Sequence, residues 1–417
     1  MMRISEQRIV SIFKDMIRIN TTNPPGNEKL MCSYIGKIFD EFGIEYTVIE
    51  TGENRANIIA EKGPQNGKAP VVFISHLDVV STEGQIWSHP PFAADEIDSV
   101  IYGRGTVDTK HLTAMELGAF INTDESSLDR PLYFVATADE EKGSEFGMKQ
   151  IADRYEQQFK GAMVINEGGG FYIENKNRGY YLCTLGEKGR CDVKVAIDGD
   201  SGPSSFISEH KAVDIFTELI DRLSSYDFPK EENGVSDLFD RIMSDGTEEM
   251  FLSHFSHYNC HDAIILNTYD IGRQINVLPH HIEFSFALQL LPGKTIEDAK
   301  RILNDIIKDL DVTWEITDFL PGFISSTETA VYHSLSSLLP SYFGPFEILP
   351  VFALGRTDGR FLGQYGCDVY GFSPVSSTIG FKEILTLVHQ TDERIDRDTI
   401  VRGTAMFTDV LQTLQGE

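Results

Sequence analysis

The sequence predicts an α/β protein, a sheet with helices on both sides, carrying a second, inserted α+β domain. Three observations predict it. Short apolar runs, VVFIS before His76, LYFVATA before Glu140 and Glu141, AMVI before Glu167 and ILTLV before His389, are β-branched or aromatic and lack internal polar alternation, as strands covered on both faces do. Helical and strand patterns alternate between them. The length of 417 residues passes the size at which one core keeps growing, so two domains are expected.

In MMRISEQRIVSIFKDMIRIN, Ile9, Phe13, Met16 and Ile17 share one helical face. The loop TTNPPGNE (Thr21 to Glu28) ends that helix before helical periodicity resumes over Lys29 to Phe42. Alternation continues to about residue 186, and the rhythm changes at Glu187. CDVKVAI alternates as a half-exposed strand, a helix covers about Glu209 to Ser224, and a polar segment leads to SHFSHYNCHD. The strands AIILNTYDI and HIEFSFALQL follow, joined through NVLPH, then a helix over Thr295 to Leu310 and the strand VTWEI. This β-α-β-β-α-β order predicts an inserted ferredoxin-like domain over 187–319. The first domain, residues 1–186, resumes over 320–417 with a helix near Thr327 to Leu339, two strands and a closing helix from about Arg397.

The charge balance narrows the function. The 36 basic and 64 acidic residues give a formal charge of −28, which argues against nucleic acid or an anionic membrane surface as a partner and suits an enzyme that concentrates cations. The N-terminal helix mixes charges among its apolar positions, and no stretch approaches the roughly 20 apolar residues of a membrane span, so a cytoplasmic address is expected. The cysteines, Cys32, Cys183, Cys191, Cys260 and Cys367, are odd in number, scattered and without a CxxC pair. They predict reduced structural thiols rather than disulfides or thiolate metal sites.

In open α/β sheets ligands bind beyond the carboxyl ends of strands, so the loops after these runs should converge on one crevice. In HLD, His76 and Asp78 lie two apart on an extended chain and point to the same side, which lets the carboxylate hydrogen-bond the imidazole of a metal-bound histidine. A lone buried histidine is more often structural; the HxD context reverses that. In DEEKG, the consecutive Glu140 and Glu141 diverge, so one can ligate metal while the other faces water as a general base. An isolated pair of glutamates is more often a solvated turn. GRGTVDTK sets Asp108 in a glycine-rich turn, where a short carboxylate can bridge two ions about 3.5 to 4 Å apart. Imidazole nitrogen with carboxylate oxygen and no sulfur suits zinc, with cobalt or manganese as substitutes.

With these residues assembled, the chain resembles the zinc metallopeptidase family that includes aminoacylase, acetylornithine deacetylase, succinyl-diaminopimelate desuccinylase and carboxypeptidase G. The marks are NTTNPPGNE, SHLDVV, WSHPPF, YGRGTVDTK, ADEEKGS, INEGG, NVLP, LLPG, GRTDGRF, YGFSP and HQTDERI, in that order from about Asn20 to Ile395. The resemblance implies two zinc ions, with His76 and Glu167 on one, Glu141 and His389 on the other, and Asp108 bridging. It implies Glu140 as general base, Asp78 as the support of His76, and Arg360 as the grip on a substrate carboxylate. Asn276 would be the inserted-domain residue that approaches the substrate. The implied fold is a dizinc α/β domain with a central mixed sheet and an inserted lid that often mediates dimerisation. A homodimer through the lid, and lid closure over the crevice, are therefore expected.

The lid departs from the family's pattern. Where most members read glycine-histidine, this chain reads Gly202, Pro203, Ser204 and Ser205, and the arginine usual before LLPG is Gln289. That histidine helps stabilise the oxyanion in relatives, and losing one such donor lowers the rate about 10²- to 10³-fold. His210, His254, His257 and His261 are candidates to compensate, although each alone reads as a surface or packing residue, and Arg356 in GRTDG adds a charge near the pocket. The leading expectation is a metal-dependent hydrolase of the amide bond in a small peptide or N-acyl amino acid, either exopeptidase or deacylase. The alternative, motivated by Pro203 and Gln289, is a metal-retaining but catalytically silent protein that binds a small ligand or partner.

Overall fold

Runs of Val, Ile and Phe favour strands that are buried on both faces. The Val71–His76 and Leu132–Thr137 strands are accordingly buried at every position. The computed structural model describes residues 3–203, 205, 209–270 and 277–414. The chain divides into two units: Met1–Gly186 with Ile242–Leu252 and Ile324–Glu417, and Glu187–Arg241 with Ser253–Phe323.

The first unit is built on a nine-stranded mixed sheet. Its middle strands, in spatial order Leu132–Thr137, Val71–His76, Met163–Asn166 and Asp368–Gly371, are mutually parallel. Tyr46–Gly52 and Arg55–Lys62 extend one side as antiparallel strands. Arg178–Thr184 and Glu347–Val351 extend the other, where Tyr172–Asn175 also pairs with Arg178–Thr184. The four parallel strands therefore end on one edge, where His76 closes one of them and the loops after two others carry Glu140 with Glu141, and Glu167.

The helix Lys110–Asn122 follows directly on Asp108 and is buried on every face through Ile121, because it packs between the sheet and the helices Glu6–Arg18 and Arg397–Thr413. Close approach of the last of these depends on two glycines. A Cβ on Gly403 would meet Met115 Sδ at 1.8 Å, and one on Gly118 would meet Thr404 Cγ2 at 2.7 Å. Two buried lysines cap helix ends. Lys110 Nζ donates to Met16 O at 3.1 Å and Ile19 O at 2.9 Å, closing Glu6–Arg18. Lys62 Nζ donates to Phe120 O at 2.7 Å and Thr123 O at 3.1 Å, closing Lys110–Asn122. Both cations complement the negative end of a helix dipole.

One apolar run expected as a strand is a helix. All of ILTLV but its last residue lies in the helix Phe381–Leu387, which buries Phe381, Ile384 and Leu387 and leaves Leu385 42% exposed. The repeat of three, set by Phe381 just ahead of the run, outweighs its strand-like composition. His389 is therefore presented by a turn after a helix.

The second unit has a four-stranded antiparallel sheet in the order Ala263–Asp270, His281–Leu290, Gly189–Asp198, Thr313–Leu320. Along Gly189–Asp198 burial alternates residue by residue. Cys191, Val193, Val195 and Ile197 join Leu219, Leu223, Leu303 and Ile306 in one core with the helices Ala212–Ser225 and Ile296–Ile307. Thr295 and Asp298 start the latter with reciprocal capping bonds. The segment read as polar before SHFSHYNCHD forms the helix Gly234–Ile242, held by buried Val235 and Phe239, and a second helix covers Met250–Tyr258. Between them Ile242–Leu252 belongs to the first unit, where Asn175 bonds Gly246 O at 3.0 Å and Phe251 packs edge-on to Phe381.

Candidate metal centre

His76 closes its strand level with Thr137 of the parallel neighbour, and its side chain is 1% exposed. Its Nε2 lies 3.0 Å from Asp108 Oδ1 and 3.6 Å from Glu167 Oε2. Glu167 follows Asn166, the end of the next parallel strand. Beyond Thr137 the chain turns through Asp139, in the left-handed region at φ 69°, into a single 3-10 turn over Glu140–Lys142. The other oxygen of Asp108, Oδ2, lies 3.0 Å from His389 Nε2, which is 3.3 Å from Glu141 Oε2. Asp108 thus meets one imidazole with each oxygen, and each imidazole meets one further glutamate. Donor atoms of His76, Asp108 and Glu141 lie within 4.8 Å of one another, and so do those of His76, Glu140 and Glu167.

The electrostatics of this cluster fit divalent cations. Burial, reinforced by neighbouring acids, raises the carboxyls of Glu140, Glu141 and Glu167 above their ordinary range. Burial opposes the charged form of His76, but Glu167, Asp108 and Asp78 outweigh it and hold the ring well above its usual pKa. His389 is raised to about 10, chiefly by its hydrogen bond to Asp108. Asp108 goes the other way: burial opposes its charge, yet bonds to His389 and His76 lower it. Protons on two rings thus supply positive charge beside crowded acids, and Glu141 Oε1 is buried without a hydrogen-bond partner. Nitrogen and carboxylate donors without sulfur are a set that zinc, cobalt or manganese accepts.

Three arrangements hold the cluster. His76 Nδ1 is 3.0 Å from the backbone oxygen of Asp78 and 3.5 Å from its carboxylate. That carboxylate accepts from Glu140 N at 3.1 Å, Glu141 N at 3.2 Å and Asn23 Nδ2 at 2.8 Å. Asp78 therefore fixes the glutamate turn as well as facing His76. Asn23 also bonds Asp139, which pairs with Arg55 at 2.9 Å, and Arg55 pairs with the fully buried Glu28 at 2.7 Å. Glu393 receives backbone N–H groups of the Asp108 loop. Sequence reading gave Asn23, Arg55, Asp139 and Glu393 no role; Asn23, Asp139 and Glu393 stand in TTNPPGNE, ADEEKGS and HQTDERI, whereas nothing local marks Arg55.

Arg360 is 5% exposed. It donates to Thr357 O at 2.6 Å, Gly143 O at 3.3 Å and Ser144 Oγ at 3.1 Å, with NH1 3.7 Å from Glu140 Oε1. Asp358 accepts from Thr137 Oγ1 at 2.7 Å and from Ser144. In the second unit, Pro203 pairs with Val277 in a short ribbon, and Gln289 bonds the Tyr258 hydroxyl. His210 meets Asp311 at 3.1 Å, His254 stacks on Tyr258, and the rings of His257 and His261 stack 3.9 Å apart. Asn276 and Ser204 lie outside the described residues.

A sequence profile of peptidase family M20/M25/M40 matches residues 72–413. A probable succinyl-diaminopimelate desuccinylase of Staphylococcus aureus (strain MSSA476) is 26% identical over 417 residues, covering 98% of this chain and 97% of its own. The human N-fatty-acyl-amino acid synthase/hydrolase PM20D1 is 25% identical over 376 residues, covering 82% of this chain and 74% of its own. Among solved structures, the M20 family metallo-carboxypeptidase Sso-CP2 from Sulfolobus solfataricus superposes with a TM-score of 0.73 at 16% identity, covering 97% of this chain and 98% of that one.

Proposed function

This chain belongs to peptidase family M20/M25/M40, a family of hydrolases, and on that premise we propose that it is a dinuclear-metal amide hydrolase that frees an amino acid from an N-acyl amino acid or small peptide. The observation that carries the proposal is Asp108, set with one oxygen 3.0 Å from His76 and the other 3.0 Å from His389. His76 and Glu167 would hold one ion, His389 and Glu141 the other, and Asp108 both. Bound there, divalent cations would supply Lewis acidity and ionise water near neutral pH.

The chain's own residues do the rest. Glu140, raised by burial and held by Asp78 and Arg360, takes the proton of the attacking water and delivers it to the leaving nitrogen. Asp78, itself held by Asn23, fixes the backbone amides of Glu140 and Glu141. Both relatives are named for amino acids acylated on nitrogen, which favours N-acyl amino acids over peptides within the same chemistry. Zinc is the first choice of metal, with cobalt and manganese as substitutes. Among the described residues no helix is long and apolar enough to cross a membrane; a cytoplasmic address is part of the same proposal. A homodimer through the second unit, acting as an inserted lid, belongs to the same reading; sedimentation of a monomer at assay concentrations would remove it.

The test is hydrolysis of a panel of N-acyl amino acids and dipeptides with zinc, cobalt or manganese, by wild type and Glu140→Gln. The variant should keep its ions and lose kcat by about 10²- to 10⁴-fold, the range for a general base. A wild type that binds metal but cleaves nothing on the panel supports the silent binder that Pro203 and Gln289 suggest.

A further inference from the structure

Glu393 lies just beyond His389, and its side chain is wholly buried. Its Oε1 accepts from Val107 N at 2.6 Å and Asp108 N at 3.1 Å, and its Oε2 from Gly105 N at 3.0 Å and Arg104 NH1 at 2.6 Å. The backbone adds to the tie. Gly103 N donates to Glu393 O at 2.8 Å, and the strand Arg394–Asp396 pairs antiparallel with Val100–Tyr102. Arg104 continues toward the other side of the site, reaching Gln390 O at 3.2 Å and Gln85 Oε1 at 3.0 Å, while Gln85 Nε2 donates to His389 O at 3.0 Å. A single carboxylate therefore grips the amide of Asp108 directly and the backbone of His389 through Arg104 and Gln85.

We infer that Glu393 is a positioning residue that sets the spacing of Asp108 and His389, and so the affinity of the ion those two residues share. The inference rests on the dinuclear reading above. The chemistry of the group argues for it: an ionised carboxylate offers only acceptors, enough for three amides and a guanidinium at once, whereas an amide in its place would turn donors toward donors. A salt bridge that only stabilised the fold would need Arg104 alone; the Val107 and Asp108 amides would not have to converge on it.

The test compares full-length wild type, Glu393→Gln and Glu393→Asp by chelator-competition titration with Zn²⁺ and by the visible absorption of the Co²⁺-loaded proteins. Partners behind metal ligands typically contribute about 10- to 100-fold to affinity. Glu393→Gln should weaken the ion on His389 and Glu141 by that factor, weaken the ion on His76 and Glu167, which shares only Asp108, by less, and shift the Co²⁺ spectrum. Glu393→Asp, which keeps the charge facing Arg104 but is one methylene shorter, should fall between. Wild-type affinity for both ions with an unaltered spectrum in either folded variant overturns the inference. Should neither fold, the metal-free wild type decides: the Gly105, Val107 and Asp108 amides should exchange slowly with solvent hydrogen, and exchange at the rate of an exposed loop overturns it. A wild type that holds no ion refutes the dinuclear reading instead, and amide exchange then remains the test of Glu393.

Discussion

Loading the centre with metal should expel protons, and the stabilisation that metal brings should grow as pH rises. In the metal-free chain His76 is raised well above its ordinary pKa, because its acidic partners outweigh burial, and His389 is raised to about 10 by Asp108 and Glu141. Both rings must be neutral to ligate a cation. A folded pKa above the unfolded one means that the native state binds the extra proton. The stabilisation from these histidines is therefore full below about pH 6.5 and is lost as pH climbs toward the folded values. Glu140, Glu141 and Glu167, raised by burial, act in the same direction above about pH 4.3. Asp108 and Asp78 are lowered, so their contribution is already complete by about pH 5 and drops out of the neutral range.

Each proton is worth about 1.4 kcal/mol per pH unit. His389, raised to about 10 but with its side chain 47% exposed, is discounted for solvent screening, and His76 adds to it in the same direction. Stability of the loaded protein minus that of the metal-free protein should then rise from about pH 7 to about pH 9, with His389 contributing at most about 1.4 kcal/mol per pH unit and His76 adding to it. Urea unfolding with saturating zinc and with a chelator measures the difference at each pH, and titration calorimetry in buffers of contrasting ionisation enthalpy counts the protons. No net proton release at neutral pH, or a difference that stays flat, would show that the imidazoles do not face the ions.

The same geometry makes three further predictions. Arg55→Met strands Asp139 and Glu28 without their cation, so the protein should lose about 3 to 5 kcal/mol in urea unfolding, softened by protonation of Glu28, whose carboxyl burial already raises to about 7; a loss below about 1 kcal/mol, as for an exposed pair, contradicts the network. Burial lowers Lys62 from its ordinary 10.5 to about 8, so the folded state sheds its proton first. Wild type should gain about 3 kcal/mol relative to Lys62→Met as pH rises from about 8 to about 10.5, and a constant gap between the two unfolding curves would refute it. Gly403→Ala gains helix propensity of about 1 kcal/mol but drives a Cβ to 1.8 Å from Met115 Sδ. Overpacking of about 1 to 3 kcal/mol should prevail and lower Tm; a raised Tm would mean that these helices do not meet so closely.

The parallel strands and the residues at their ends were legible because their signals are local. Val71, Val72 and Ile74 mark a strand by β-branching, and HLD and DEEKG each place two functional groups within three residues. ILTLV misled because the register that decided it includes Phe381, outside the run. The groups that hold the centre were not legible for a different reason: Glu393 meets Asp108, and Arg55 meets Asp139, across long stretches of chain, and no period or spacing records such a contact. Their pattern has a physical logic of its own. Three arginines buried to 7%, 1% and 5% exposure, Arg55, Arg104 and Arg360, stand behind the Asp139–Glu141 turn, the Asp108 loop and Glu140 respectively. Buried ion pairs add little net stability over apolar residues of the same volume, but losing one partner leaves a charge uncompensated. In a chain with 64 acidic residues against 36 basic ones, placing these cations inside is therefore better explained by geometry than by stability. Each planar guanidinium fixes a loop that presents a carboxylate to the His76–Asp108–His389 cluster. Lysine, a single rotatable point charge, would keep the charge at these positions and lose the direction.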